Sequence, residues 1–323
     1  MAMIATGPID ILRFLAARAD EGLDCVLVTL AGIEGSSPRA IGAQMAVCAD
    51  GRYAGSLSGG CIETAVVAEA LDVLAAGAPR LVRFGAGSPY LDIRLPCGGG
   101  IDLFFHPRAD PDLIAEALAV VAARGMAALA LSQRGIDRSD ALHSGWADDA
   151  FHIAYAPALR IVALGQGEDL TALATLAATF GAEVALFTPD DRERARLAER
   201  GLDAHPLPIR TAPPAIAGDA WTAFVFLFHD RDWEEALLAP MLAHASFYFG
   251  AVGSMRTHRR RLAALAATPA GAQAAARLRG PVGLIAATRH PATLAVSILA
   301  EIVAEYDRIV APGDVAAVVP CPA

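Results

Sequence analysis

Two loops in the first third of the chain combine glycine with cysteine: Gly55-Ser-Leu-Ser-Gly-Gly-Cys61 and Pro96-Cys-Gly-Gly-Gly100. In the first, Ser58, Gly59, Gly60 and Cys61 follow a strand-like segment and open a helix. The first N–H groups of a helix have no internal partners, and glycine lets a ligand approach the backbone. The segment therefore reads as a phosphate or anion cradle. Cys61 at the helix start is shifted toward thiolate, the form that binds a soft metal or exchanges sulfur. A tight strand-to-helix turn with a small buried cysteine explains the same residues. Cys97, Gly98 and Gly99 place a second thiol beside open backbone at a hairpin tip, so the two loops read as one shared site. Gly35-Ser-Ser-Pro-Arg39 completes it: Ser36 and Ser37 supply hydroxyls and Arg39 a fork suited to phosphate. An ordinary Gly/Ser/Pro turn is the alternative. Cys25 and Cys48 fall in apolar strand patterns and read as core residues, and Cys321 has no assigned role.

The elements that must hold these loops form a mixed α+β module. The pattern predicts a helix over 9–18, strands at 25–30, 44–48, 81–84 and 101–105, a turn at Asp50-Gly51, and a helix over 62–75. A helix over 112–124 and a strand over 126–132 follow. We expect a first domain over residues 1–132, an irregular linker over 133–156, a Rossmann-like domain over 157–308 and a loose tail over 309–323. The overall class is α/β.

In the second half, strands and helices alternate as in a doubly wound parallel sheet. Strands are expected at 159–164, 182–188, 224–228, 246–249 and 282–286, and a last helix at 291–306. Gly165-x-Gly167 sits between strand and helix, the setting of a dinucleotide turn. Position 170 is Leu rather than a third glycine, and Asp190 lies near the place of a ribose-binding acid. NAD(P) binding, and with it an NAD(P)-dependent oxidoreductase, is thus a second reading. His229 and Gly253-Ser254 end other strands, where ligand crevices form. Gly253, Ser254 and the helix carrying Arg256, Arg259, Arg260 and Arg261 form a further candidate anion site. His229 fits acid–base or ligand chemistry, or the capping of a carbonyl.

Composition excludes several classes. The 323 residues are 55% hydrophobic and 19% charged, enough for two cored domains. The net charge of −9 argues against a general nucleic-acid binder. All 26 basic residues are arginine, which excludes lysine Schiff-base chemistry and a P-loop lysine. The five cysteines form no CxxC pair. No signal peptide or membrane-length apolar run is seen. A cytoplasmic protein with reduced thiols is expected.

These motifs resemble the XdhC/CoxI family of molybdenum hydroxylase maturation factors. The resemblance is carried by Gly35-Ser-Ser-Pro-Arg39 with Gly42, Met45 and Val47, by Gly55-Ser-Leu-Ser-Gly-Gly-Cys-Ile-Glu63, and by Pro96-Cys-Gly-Gly99. In the second half it rests on Gly165-x-Gly167, His229-Asp230, Tyr248-Phe-Gly-Ala-Val-Gly-Ser254 with Arg256-Thr257, Pro281-Val-Gly-Leu284, Ala295-Val-Ser-Ile298 and Ala300-Glu301. It implies binding of the molybdenum cofactor, a pterin with a dithiolene and a phosphate, often extended to a dinucleotide. It implies protection of that cofactor, sulfuration with a cysteine desulfurase as partner, and delivery to an apo molybdenum hydroxylase of the xanthine or aldehyde dehydrogenase type. Cys61 and Cys97 would face molybdenum or sulfur. Cys61 as a persulfide carrier in a sulfur-transfer enzyme is a third reading. A homodimer is expected. The sequence departs from the family pattern at Glu168, where members commonly carry His, and at Ala286-Ala-Thr-Arg-His-Pro291, where they carry Gly-x-x-Thr-Pro.

Overall fold

The computed structural model describes residues 7–60, 62–88, 98–207, 216–228, 231–267 and 271–310. The chain divides into two compact units that meet in sequence at Pro157 and Ala158.

The N-terminal unit runs α1 (Pro8–Asp20), β1 (Cys25–Glu34), β2 (Gln44–Cys48), β3 (Tyr53–Gly55), α2 (Glu63–Ala76), β4 (Arg80–Gly85), β5 (Gly100–Pro107), α3 (Pro111–Ala122), β6 (Ala127–Ser132), β7 (Gly135–Ser139), β8 (Gly145–Ala147) and β9 (Ala150–Tyr155). Its main sheet has the order β3-β2-β1-β5-β4, antiparallel throughout. Strand β1 reads as a continuous apolar run because both its faces are covered. Val26, Val28 and Leu30 pack with Val66, Ala70 and Val73 of α2. Cys25 and Leu27 pack on the other face with Ile11, Leu12 and Leu15 of α1, Ile114 of α3, and a second sheet.

That second sheet, ordered β7-β6-β9-β8, corrects the linker expected over 133–156. The polar residues of β7 lie mostly outward, which disguised it. In β9, Phe151, Ile153 and Tyr155 alternate into the core. Trp146 of β8 packs against Phe104 and Phe151 and donates its indole N–H to the Ala31 carbonyl at 2.8 Å.

Antiparallel order decides where the site loops emerge. Strands β1, β3 and β4 end, and β2 and β5 begin, at the same edge of the main sheet. The connections 35–43, 56–62 and 86–99 therefore leave from one end.

The C-terminal unit runs β10 (Arg160–Gly165), α4 (Glu168–Phe180), β11 (Glu183–Thr188), α5 (Asp191–Glu199), β12 (Ala204–Pro206), β13 (Thr222–Leu227), α6 (Arg231–Met241), β14 (Tyr248–Ala251), α7 (Met255–Ala266), α8 (Gly271–Arg277), β15 (Leu278–Arg279) and α9 (Pro291–Val310). Its parallel sheet is ordered β12-β11-β10-β13-β14-β15. This is the doubly wound order, with its topological switch point at β10. One face packs on α4 and α9, the other on α6 and α7.

The strand expected at 282–286 is instead a loop, and the sixth strand is Leu278–Arg279. The N–H groups of 283–285 are bonded to α9: Gly283 donates to Glu301, Leu284 to the Ser297 carbonyl and Ile285 to Ser297 Oγ. A backbone so held has no donors left for a sheet neighbour. Helix α9 takes in residues 309 and 310 of the expected tail, and 311–323 lie outside the described residues. Among the described residues, no helix is long and apolar enough to cross a membrane.

Candidate functional site

The three N-terminal loops meet. Arg39 donates from Nε to the Ser56 carbonyl at 3.2 Å, joining the β1–β2 loop to the β3–α2 loop. Gly99 joins the third: a Cβ there would lie 2.3 Å from the Ser36 carbonyl oxygen and 2.8 Å from that of Glu34. Only glycine permits that approach. Arg83 of β4 fastens the same edge, donating to Asp102 at 2.9 Å and the Ala86 carbonyl at 2.9 Å, and pairing with Glu34. A shift in register between Leu30 and Gly32 in β1 precedes this contact, and Gly32 leaves room for the Asp102 carboxylate.

The β3–α2 loop is folded around Glu63. Its carboxylate, buried with the first turn of α2, accepts from Ser56 Oγ at 2.7 Å, Ser58 Oγ at 2.6 Å, Ser58 N at 3.1 Å and Ile62 N at 3.2 Å. Burial pushes the carboxyl up, but hydrogen bonds from Ser58, Ser56 and the Gly60 N–H outweigh it and hold it near about 2. Ile62 N also donates to Ser58 Oγ at 3.0 Å, and Gly59 N to Ser56 Oγ at 3.0 Å. The N–H groups expected to cradle an external phosphate are thus largely spent on the protein's own serines and carboxylate. Gly59 and Gly60 remain exposed with positive φ, and nothing lies within 4 Å of a Cβ built on either. This patch offers steric room rather than a ring of free donors.

The other N-terminal candidates divide by role. Ser37 Oγ donates to the Arg39 carbonyl at 2.9 Å and accepts from Arg39 N at 3.2 Å, so it shapes the turn that presents Arg39. Ser36 is exposed and its backbone meets Gly99. Ser58 is buried on Glu63. Gly98 is exposed and Gly99 buried. Cys61 and Cys97 lie outside the described residues. Among the described residues, no group of three or more His, Cys, Asp or Glu is arranged to hold a metal ion.

In the C-terminal unit, Gly165 ends β10 against Leu227 of β13, where a Cβ would come within 2.6 Å of the Leu227 backbone oxygen. Gly167 precedes α4, but its N–H donates to Glu193 Oε2 at 2.9 Å, and the Thr188 hydroxyl donates to the same oxygen at 3.2 Å. Burial pushes the Glu193 carboxyl up, a rise these two donors oppose and Asp190 increases. Glu168 and Asp169 add negative charge in the first turn of α4. Asp190 caps α5 through the N–H groups of Arg192 and Glu193. The glycine turn thus carries a carboxylate at the N–H where a dinucleotide would need an open donor.

At the end of β14, Ser254 caps α7 by accepting from Thr257 N at 3.1 Å. Gly253, Ser254 and Arg256 are exposed, as are Arg259 and Arg260. Arg261, grouped with them from sequence, is instead buried. It pairs with Glu234 at 2.5 Å and donates to the Val252 carbonyl at 2.6 Å. His229 lies outside the described residues.

Sequence reasoning missed the roles of Glu63, Arg83 and Glu193. Glu63 stood inside a quoted motif, but its bonds run back to Ser56 and Ser58, off any capping-box spacing. Asp190-x-x-Glu193 has capping-box spacing, yet Glu193 reaches Gly167, 26 residues away in sequence, and no local pattern signals that.

Residues 18–85 match the XdhC and CoxI family, and residues 161–302 the XdhC Rossmann domain. The chain is 34% identical over 295 residues to the molybdenum cofactor insertion chaperone PaoD of Escherichia coli (strain K12), spanning 90% of this chain and 86% of that one. It is similar in fold to a crystal structure described as a xanthine dehydrogenase from Bacillus halodurans, with a TM-score of 0.74, 22% identity, and coverage of 91% of this chain and 95% of that one.

Proposed function

Because the chain belongs to the XdhC and CoxI family, we propose that it is a molybdenum-cofactor chaperone. It binds the cofactor as cargo, keeps it while a cysteine desulfurase sulfurates it, and hands it to an apo molybdenum hydroxylase of the xanthine or aldehyde dehydrogenase type. The observation that carries this reading is the convergence of three loops at one end of the N-terminal sheet, joined through Arg39–Ser56 and Gly99–Ser36. The relative PaoD supports the identity of the cargo.

The residues fit that cargo. Arg39, exposed and aimed by Ser37, offers a planar fork to the pterin phosphate. Gly59 and Gly60 leave room for a flat ring to approach. The buried Glu63 charge lies beneath the loop, so among the described residues of these loops Arg39, rather than helix α2, supplies positive charge for an anionic cargo. Cys61 and Cys97 would contribute thiolates toward molybdenum or its sulfur. Taken by itself, the C-terminal unit offers a nucleotide its better anion contact at Gly253, Ser254 and Arg256. Gly165 and Gly167 serve it less well, since Glu193 holds the turn. The protein would act as a homodimer in the cytoplasm.

The NAD(P)-dependent oxidoreductase reading has the strand order in its favour and the Glu193 carboxylate against it. Co-elution of purified cofactor with the protein, run beside calorimetric titration of NAD(H) and NADP(H), separates the two. Cofactor retention without nucleotide heat supports the chaperone. Micromolar nucleotide binding with turnover of a substrate panel would replace it. Mass spectrometry after incubation with a desulfurase and cysteine tests whether Cys61 also carries a persulfide.

A further inference from the structure

The N-terminal core holds two thiols that the cofactor site does not use. Cys25 opens β1 and Cys48 closes β2, and the two are direct partners in the antiparallel register. Their main-chain groups point away from each other. The Cys25 carbonyl accepts from Arg108 N at 2.9 Å, and Cys48 N donates to the Arg52 carbonyl at 2.8 Å. The next position bridges the strands instead, Ala49 N donating to the Asp24 carbonyl at 2.9 Å. Cys25 and Cys48 are therefore a non-hydrogen-bonded pair, the type in which Cα atoms approach to about 4.5 Å. That spacing falls inside the range a disulfide spans, about 4.4–6.8 Å. Both side chains project to the same face of the sheet, into the cluster with Ile11, Leu12 and Leu15. The two Sγ atoms are 2.6 Å apart, as free thiols. Two non-bonded heavy atoms ordinarily rest at about 3.5–4.0 Å.

A cavity of about 240 Å³ reaches this pair, lined by Leu15, Ala16, Leu23, Cys25, Arg108 and Ile114. It is large enough for a small oxidant, and Cys25 is the thiol that lines it, while Cys48 is fully buried.

We propose that Cys25 and Cys48 form an oxidation site, a dithiol that a small peroxide converts to a cross-strand disulfide. The Cys25 thiolate attacks one peroxide oxygen: an S–O bond forms, the O–O bond breaks, and the leaving hydroxide takes up the thiol proton as water. Cys48 sulfur then attacks the sulfenic sulfur: the S–S bond forms, the S–O bond breaks, and a second water leaves with the Cys48 proton. Two electrons pass from the sulfurs to the peroxide. Burial pushes both thiols up and keeps the thiolate scarce, so closure at neutral pH is slow. The ring so closed runs from 25 to 48 and contains Gly35-Ser-Ser-Pro-Arg39. The bond fastens the base of the hairpin whose tip presents Arg39. This inference does not depend on the identity of the cargo.

The test uses the full chain with Cys61, Cys97 and Cys321 replaced by serine, which leaves only this pair, and the wild type in parallel. Each is held with hydrogen peroxide for hours, unfolded in an alkylating denaturant, and weighed intact. The expected result is no alkylation in the variant, a cross-linked 25–48 peptide two hydrogens lighter than its reduced pair after digestion of both proteins, and recovery of both thiols with dithiothreitol. The oxidised protein should melt higher than the reduced one by roughly 5 °C. Two alkylatable thiols after prolonged oxidation, a gain of two oxygens at either sulfur, or wild-type crosslinks that leave out this pair would overturn it.

Discussion

Glu63 is the residue on which the β3–α2 loop depends. With its carboxylate meeting several N–H and O–H donors in a buried setting, Glu63→Gln should cost about 2–3 kcal/mol, read by urea unfolding. The same residue sets an acid limit. Its folded pKa lies near about 2 against 4.5 for the free group. The stability it contributes is complete above pH 4.5 and is lost as pH falls toward about 2, on the order of 3 kcal/mol. His106 acts earlier: burial holds it down to about 4, while its Nε2 contacts the Ser132 carbonyl at 3.0 Å. Above pH 6.5 it is neutral folded or unfolded. As pH falls from 6.5 toward 4 the unfolded chain takes up the proton first and stability drops. A pH series of urea midpoints should show two steps, and Glu63→Gln should shrink the lower one, to which Asp50 and Glu305 also contribute. A lower step of unchanged size in Glu63→Gln would contradict the assignment. Arg39→Ala tests binding rather than folding. It should weaken cofactor binding about tenfold or more while shifting stability by less than about 0.5 kcal/mol. The exposed placement of Arg39 in a turn was legible from its Gly/Ser/Pro setting. Glu63 was not, because its partners are defined only once the loop is closed.

Elements were legible where periodicity was strong and both neighbours were local. The buried parallel strands around Val162 and Phe224 and the helix after Gly167 announced a doubly wound sheet, and that is what forms. The second sheet of the N-terminal unit was hidden. Strand β7 is polar and β8 is three residues long, so only the alternation of β9 signals burial. Residues 282–286 look like a strand by apolarity, yet the N–H groups of 283–285 go to Ser297 and Glu301. The convergence of the three N-terminal loops also belongs to this scale, since antiparallel order brings the strand ends to one edge. Gly99→Ala tests it. A methyl group 2.3 Å from the Ser36 oxygen must displace one of two backbones. We expect a loss of about 2 kcal/mol or more and weaker cofactor binding, both measured on the same preparation. An unchanged melting curve would show that the β4–β5 and β1–β2 loops do not meet as described.

At the level of the whole molecule, the two units divide the features expected of the proposed cofactor carrier unevenly. The N-terminal unit gathers an aimed arginine, open glycines and a rigid buried carboxylate. The C-terminal unit has the strand order of a dinucleotide domain, but a carboxylate occupies its glycine turn. Composition bears on this, since in a lysine-free chain of net charge −9 any permanent side-chain cation set against an anion is an arginine. It did not foreshadow Glu193, whose effect exists only when β11 lies beside β10. The most direct measurement is equilibrium binding of purified molybdenum cofactor to the full-length protein, followed by molybdenum and pterin co-eluting on gel filtration. The account predicts about one cofactor per chain for the wild type, with retention sharply reduced in Arg39→Ala, Cys61→Ala and Cys97→Ala. Absence of cofactor from the wild-type peak would contradict it.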